Sequence, residues 1–179
     1  MAFERVASEV VWRGRIATVR IDRFRHDDTG EVVEREVVAH PGAVAVLAVD
    51  GGTIYLVRQP REAVGAQSLL ELPAGKLDGP DRDPLRTAQR ELAEEIGKGA
   101  RRWKRLASFY TSPGFADEEV HLFYASELFD SEAESDEEER IEVVPWPLDD
   151  LDAAIAQCVD AKSLVGLLWL RREQLLAGS

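Results

Sequence analysis

The chain has 179 residues, and its 22 Lys and Arg against 34 Asp and Glu give a formal net charge of −12 at pH 7. Hydrophobic residues make up 45% and charged residues 31%, a balance that excludes a disordered or collagen-like chain. Nucleic acid and anionic lipid bind mainly through Lys and Arg, so this charge argues against both as partners, whereas a small polyphosphate could bind beside divalent cations or a few placed arginines.

The N-terminal segment predicts a small antiparallel β arm. Apolar and polar residues alternate over residues 9–12, 16–21 and 32–38, and the turn-forming stretch 27–30 separates the last two runs as in a β-hairpin. We expect this arm, residues 1–40, to need a partner surface that covers its apolar face.

The remainder, residues 41–179, predicts an α+β domain in which helices pack on a mixed sheet. The continuous apolar run 43–49 is typical of a strand buried on both faces. Asp83 as N-cap, Pro84 at the first position and Gly97 as the C-terminal stop predict a helix between them. Further strands are predicted over 53–58, 105–110, 120–125 and 141–146, further helices over 148–159 and 163–176, and a solvated acidic loop over 131–140.

The expected compartment is the cytoplasm. A single cysteine, Cys158, cannot form an internal disulfide, which favours a reducing environment. The N-terminus shows no basic segment followed by an apolar one, as a signal peptide would. The apolar stretch 164–170 is much shorter than the roughly 18 residues of a membrane span.

Three glutamates in the predicted helix suggest a metal site. Glu91 and Glu95 lie one turn apart and share a face, with Glu94 beside them. Two ionised carboxylates ~4 Å apart at an effective dielectric of ~20 repel by about 4 kcal/mol, so a cation or a proton must neutralise them. Oxygen ligands favour Mg²⁺ or Mn²⁺, and the Gly75 loop could add the backbone carbonyl of Ala74.

The alternative is an ordinary solvated helix face, which is the commoner explanation of an isolated acidic triplet. Leu92 and Ile96, between and after the glutamates, need only core packing. A glycine loop, a capped helix and the string Arg-Glu-Leu-Ala-Glu-Glu-Ile-Gly over 90–97 form a long composite pattern, and this pattern favours the metal site.

The segment 74–97 resembles the Nudix box, which is a glycine loop followed by Arg-Glu-hydrophobic-x-Glu-Glu-x-Gly. The matching residues are Gly75, Arg90, Glu91, Leu92, Glu94, Glu95 and Gly97. The segment departs from the commonest form in three ways. Its loop is one residue longer, its acidic residue falls on Asp81 or is absent, and Lys98 replaces the apolar residue that usually follows the last glycine.

Segments 57–61, 71–75 and 112–118 also look like the ADP-ribose pyrophosphatase branch of the Nudix hydrolases, so the resemblance covers nearly the whole chain. It implies a Nudix-type α/β/α sandwich with a mixed sheet and a small antiparallel N-terminal β arm. It also implies a homodimer that exchanges these arms. The implied reaction is Mg²⁺-dependent hydrolysis, with Mn²⁺ as a substitute, of ADP-ribose to AMP and ribose 5-phosphate by a metal-activated water.

In this family the box glutamates and a backbone carbonyl hold the metal, which implies Glu91, Glu94, Glu95 and Ala74. Arg90 would orient these ligands through a charge-assisted contact, the alternative being an ordinary surface arginine.

The general base of this branch comes from the acidic loop before the last strand. Its position falls on Glu139, with Glu137 and Glu138 as rivals. For each of these residues singly, a solvated charge run is the alternative.

The resemblance also implies substrate contacts. Arg61 would bind phosphate oxygens in pairs, and Gly114 and Glu118 would face the ribose and phosphate. The arm and the box loop supply further candidates. Arg15, Ile16 and Glu36 resemble positions that hold the adenosine half across the dimer, with strand packing as the alternative for Ile16, and Asp78 is placed against the substrate, with loop capping as its alternative.

Two other functions stay open. One is the same chemistry on a different nucleotide sugar or a dinucleoside polyphosphate. The other is a non-catalytic module that senses a nucleotide; such relatives typically lose box glutamates, and this chain retains Glu91, Glu94 and Glu95.

Overall fold

Two units make up the fold in the computed structural model, which describes residues 2–14, 17–77, 82–132 and 140–177. The first unit combines residues 1–42 with 110–119. The second combines residues 43–109 with 120–179.

The first unit is a three-stranded antiparallel sheet in the order β1-β2-β3. Its strands are β1 (Phe3–Arg13), β2 (Thr18–His26) and β3 (Val32–Ala39). The predicted hairpin joins the last two: Gly30 takes a φ of 70°, which favours glycine, and its N–H donates to His26 O at 2.8 Å. The segment 110–119 attaches to β3 through Val38 N–H, which donates to Phe115 O at 2.8 Å.

The second unit contains a seven-stranded mixed sheet in the order β10-β5-β4-β9-β8, with β6 paired to β5 and β7 paired to β4. Strands β4 and β9 are parallel, whereas β5 is antiparallel to β4 and to β10. The strands are β4 (Ala43–Asp50), β5 (Thr53–Arg61), β6 (Ala66–Glu71), β7 (Ala74–Lys76), β8 (Lys98–Tyr110), β9 (Glu119–Asp130) and β10 (Glu142–Pro147).

Helices cover both faces of this sheet, because side chains of β4 alternate between two hydrophobic clusters. Leu47 points to the cluster that includes Leu167 of α3 (Ala161–Ala177), and α2 (Leu151–Gln157) contributes to the same face. Val46 points to the cluster that includes Leu92 of α1 (Pro84–Ile96). Each fully buried side chain of this size stabilises the fold by about 1.5–3 kcal/mol. This arrangement confirms the predicted α/β/α sandwich with an antiparallel N-terminal sheet.

Several boundaries differ from the predictions. Strand β8 begins at Lys98 rather than at 105, and the second predicted helix is reduced to α2 after a 3₁₀ turn at Leu148–Asp150. Strands β6 and β7 were not predicted, since their sequences have no clear alternation; they form because neighbouring strands pair with them. Within the described ranges, no helix combines the length and apolar character needed to cross a bilayer.

Candidate active site

Helix α1 begins and ends where its capping residues predict. Asp83 accepts hydrogen bonds from the N–H groups of Leu85 at 2.9 Å and Arg86 at 3.5 Å, and Gly97 adopts the left-handed conformation that closes the helix. These two ends fix the length of the helix, whereas burial of Ala88, Leu92 and Ile96 against the sheet fixes its rotation. Glu91 and Glu95, one turn apart, then lie on the same face and are both buried.

Glu91 and Glu95 are both only 8% exposed and lie against the backbone of β7. Ala74 N–H donates to Glu95 Oε2 at 3.0 Å. A Cβ atom added to Gly75 would lie 1.8 Å from Glu91 Oε1, so only glycine allows this approach. A solvated helix face would leave both carboxylates in water, and the structure therefore rejects that alternative for this pair.

Arg90 compensates part of the negative charge. Its Nη2 donates to Glu91 Oε1 at 2.5 Å and its Nη1 donates to the Glu94 carboxylate. Partial burial lowers the pKa of Arg90, but the charges of Glu91 and Glu94 outweigh this effect and raise the pKa above its ordinary value. The contact that the resemblance implied for Arg90 is present, and its effect on catalysis stays a prediction.

The residues fit a divalent metal by their chemistry. Within the described part of the chain, no three His, Cys, Asp or Glu side chains are already gathered in the geometry of a metal site. However, Glu91, Glu94 and Glu95 supply hard oxygen donors only. Arg90 contacts two of these carboxylates, Glu91 and Glu94, and a divalent cation would add further positive charge beside them.

Arg61, predicted to bind phosphate, ends strand β5 and is engaged by a buried glutamate. Its Nε and Nη2 donate to the two oxygens of Glu71 at 2.6 and 2.9 Å. The hydrogen bond to Glu71 is the main cause that raises the pKa of Arg61, and the negative charge of Glu95 adds to it. Arg61 therefore lies within electrostatic reach of one of the predicted metal ligands.

Glu71 is fully buried and accepts a further hydrogen bond at 2.6 Å from Lys162 Nζ. Burial by itself would raise the pKa of Glu71, but the hydrogen bond from Arg61 and the charge of Lys162 lower it below its ordinary value. The sequence predicts no role for Glu71 or Lys162. No periodicity or motif marks Lys162, because its partner lies 91 positions earlier in the chain.

In the first unit, two of the predicted substrate residues, Glu36 and Gly114, line one cavity of about 520 Å³. Its floor includes the buried carboxylate of Asp22, which accepts from Ser8 Oγ at 2.6 Å and Arg20 Nε at 2.8 Å. Arg5 Nη1 lies 3.5 Å from the same carboxylate, and the rings of Phe3 and Phe24 line the same cavity. The lining residues are Phe3, Arg5, Arg20, Asp22, Phe24, His26, Val33, Arg35, Glu36, Val37 and 113–117.

Glu118 does not line this cavity. It accepts a hydrogen bond from Thr111 Oγ1 at 2.7 Å and lies 3.4 Å from His40 Nδ1. These contacts hold the segment 110–119 in place, and a contact between Glu118 and substrate stays a prediction.

The other predicted site residues lie outside the described residues. They are Arg15, Ile16, Asp78, Glu137 and Glu139, together with the rival base Glu138 and the loop acid Asp81.

Comparison with known proteins supports the assignment from residues. The NUDIX domain model matches residues 38–165, which is most of the chain. The ADP-ribose pyrophosphatase of Bacillus subtilis (strain 168) is 39% identical over 176 residues, covering 96% of this chain and 94% of its own length. The methanol dehydrogenase activator of Bacillus methanolicus is 36% identical over 176 residues with the same coverage.

The fold has a close solved counterpart. The crystal structure of an ADP compounds hydrolase superposes with a TM-score of 0.83 and covers 100% of this chain and 97% of its own. At 24% identity this likeness supports the fold alone. The domain match and the two full-length relatives together confirm the resemblance drawn from the box, and the chain belongs to the Nudix family.

Proposed function

We propose that this protein hydrolyses the pyrophosphate bond of ADP-ribose, giving AMP and ribose 5-phosphate. One oxygen–phosphorus bond of the diphosphate is broken. Water adds a hydroxyl group to one phosphorus and a proton to the phosphate oxygen that leaves. The observation that carries the proposal is the pair of buried carboxylates, Glu91 and Glu95, held against the Gly75 strand. The full-length relative named ADP-ribose pyrophosphatase supports the choice of substrate.

Nudix ADP-ribose pyrophosphatases generally need a divalent metal ion. We propose Mg²⁺, with Mn²⁺ as a substitute, held by Glu91, Glu94, Glu95 and the carbonyl oxygen of Ala74. When bound, such an ion lowers the pKa of a coordinated water and shares the charge of the phosphates. Arg90, which donates to Glu91 and Glu94, would orient these carboxylates and offset part of their mutual repulsion.

The proposed substrate contacts come from several segments, and those of the N-terminal arm would act across the homodimer. Arg61 would bind diphosphate oxygens, since guanidinium geometry matches them in pairs. Glu36 and Gly114 share a cavity with aromatic and guanidinium groups, which suits a nucleoside. Glu118, Arg15, Ile16 and Asp78 are proposed as further contacts. Glu139, or its neighbour Glu137, would take the proton from the attacking water.

The test measures AMP and ribose 5-phosphate release from ADP-ribose with Mg²⁺ and after chelation. We expect turnover only with the metal, and a loss of at least about 100-fold in Glu91→Gln and in Glu95→Gln with the fold retained. Glu173→Gln, an exposed glutamate on α3, is the matched control and should keep the wild-type rate. Unchanged rates in either box variant would place the metal elsewhere.

A panel of substrates separates the alternatives. ADP-ribose, a different nucleotide sugar and a dinucleoside polyphosphate are compared by kcat/KM, since all three contain the same reacting bond. The two full-length relatives bear different names, so such a panel is needed. Binding of ADP-ribose without turnover at any Mg²⁺ concentration would favour a nucleotide-sensing module instead.

We further propose that two copies form a homodimer by exchanging N-terminal arms, and that the protein acts in the cytoplasm. All eleven residues of β1 are exposed in the single chain, including the apolar Val10, Val11 and Trp12. Exposed apolar side chains of this number mark an interaction surface. The free, buried thiol of Cys158 is compatible with a reducing compartment.

A further inference from the structure

Four charged side chains meet where β5, β6 and the start of α3 come together: Arg61, Glu71, Asp160 and Lys162. We call this group the Glu71 cluster. It contains two cations and two anions, so it is neutral as a whole. Arg61 is the most exposed of the four, with 41% of its side chain accessible against 0% for Glu71, 17% for Lys162 and 18% for Asp160.

Every oxygen of the Glu71 carboxylate is used. Oε1 accepts from Arg61 Nε, and Oε2 accepts both from Arg61 Nη2 at 2.9 Å and from Lys162 Nζ at 2.6 Å. A buried charge is costly unless such partners satisfy it. Lys162 therefore fixes the plane of the carboxylate to which the arginine fork is bound.

Lys162 is itself held at the first turn of α3. Its Nζ lies 2.9 Å from Asp160 Oδ2, which also accepts from the Ser163 N–H at 3.0 Å. Ser163 Oγ accepts a hydrogen bond at 2.7 Å from Leu72 N–H, the residue after Glu71. Two hydrogen bonds, from Lys162 to Glu71 and from Leu72 to Ser163, thus join the start of α3 to the end of β6.

This support matters because an arginine side chain is flexible in water and loses rotamer freedom when it binds a ligand, which weakens binding. Two of its five N–H groups bind Glu71, which leaves three for the oxygens of a ligand. The same guanidinium feels the charge of Glu95. A fixed Arg61 would meet a diphosphate beside the metal ligands without further ordering.

We propose that Lys162 is a positioning residue, which acts through Glu71 to hold the Arg61 guanidinium ready for the diphosphate. This inference rests on the proposed function, since it takes Arg61 as a phosphate ligand. Lys162 makes no contact with substrate in this scheme.

The first test is a double-mutant cycle with ADP-ribose as substrate. Lys162→Met should lower kcat/KM by about 10- to 100-fold, mainly through KM, and Lys162→Arg should restore most of it. In an Arg61→Lys background, which keeps a cation but lacks the fork, Lys162→Met should have little further effect. Lys104→Met removes an exposed lysine of β8 and serves as the control for charge.

A merely structural role would lower the free energy of unfolding but leave KM unchanged, and this result would overturn the proposal. An undiminished effect of Lys162→Met in the Arg61→Lys background would overturn it as well. Should Lys162→Met fail to fold, Lys162→Gln, which is polar but neutral and shorter and so removes the ion pair with Glu71, takes its place in the cycle.

A second readout separates failure of this inference from failure of the proposed function. If the wild-type protein does not hydrolyse ADP-ribose, the proposed function fails. The Arg61 Nε–H resonance, identified by its loss in Arg61→Lys, then reports on positioning without turnover. It should shift and broaden in Lys162→Met and keep its place in Lys162→Arg, and an unchanged resonance in both variants would overturn the inference.

Discussion

At the scale of single residues, glycine is required at Gly75 because of the side chain that approaches it. Its backbone pairs with Val44 in the sheet, and the space where a Cβ would stand is filled by the carboxyl group of Glu91. The glycine is therefore needed for a close approach and not for an unusual backbone angle.

We predict that Gly75→Ala displaces the Glu91 carboxylate and lowers kcat/KM by about 100-fold, since a shift of about 1 Å in a reacting group has effects of this size. Steady-state kinetics with Mg²⁺ and chemical unfolding are measured together. Gly99→Ala is the matched control: its added Cβ crowds the Phe129 ring, so it should lower stability and leave kcat/KM unchanged. Full activity of Gly75→Ala would contradict the placement of Glu91.

Glu71 makes stability depend on pH. Its pKa in the folded protein lies below that of the unfolded chain, about 4.3. Above that value both states are ionised and the full stabilisation is present; as pH falls, the unfolded state takes up the proton first and stability is lost.

We therefore predict that the free energy of unfolding falls between about pH 5 and pH 3, and that the slope is smaller in Glu71→Gln, which cannot titrate at this position. Urea unfolding at a series of pH values measures both slopes. Burial would raise the pKa of Asp22, but its hydrogen bonds from Ser8 and Arg20 lower the pKa. Asp22 therefore accounts for part of the slope that remains in Glu71→Gln. Equal slopes in the two proteins would show that Glu71 does not contribute.

At the scale of elements, helix α1 carries the box glutamates, and its ends set their position. The Asp83 side chain caps the first turn, while Gly97 N–H donates to Ala93 O at 3.0 Å at the other end. Local signals of this kind act over only a few residues, so the sequence predicts them well.

We predict that Asp83→Ala destabilises the protein by about 1 kcal/mol, because two N–H groups of the first turn lose their acceptor. Asp83→Asn keeps an oxygen acceptor and should restore most of the loss. Thermal and urea unfolding check both variants. A loss in Asp83→Asn equal to that in Asp83→Ala would mean that charge, and not capping, stabilises the helix.

At the scale of the whole molecule, the exposed strand β1 is the feature that a single chain leaves unexplained. Apolar side chains lie on it without cover from the described residues, as Val11 shows with 49% exposure. A second copy that exchanges arms would cover them.

We predict that the protein sediments at about twice the 19.9 kDa of one chain, and that Val11→Glu shifts it toward the monomer because a charge would be buried in the interface. Val159→Glu changes an equally apolar but even more exposed residue outside β1 and should leave the dimer intact. Analytical ultracentrifugation across a concentration series measures both. A monomeric wild-type protein at all concentrations would exclude arm exchange.

Much of this molecule is predictable from local patterns. Capping residues, the apolar run of β4 and the four-residue spacing of Glu91 and Glu95 act within one element, so the helix, the central strand and the acidic face follow from the sequence. Strands β6 and β7 do not follow, because their short segments become strands only by pairing with β5 and β4.

The tertiary structure, and not the local sequence, determines which charged residues are buried together. Glu71 meets Lys162 across 91 positions in the chain, and Gly75 meets Glu91 across 16. Such contacts depend on how the sheet and helices pack, and neither periodicity nor composition records them. Local spacing along the chain is enough to put a row of carboxylates on one helix. The packing of helices on the sheet then buries two of them and brings a lysine of α3 to the glutamate that holds Arg61.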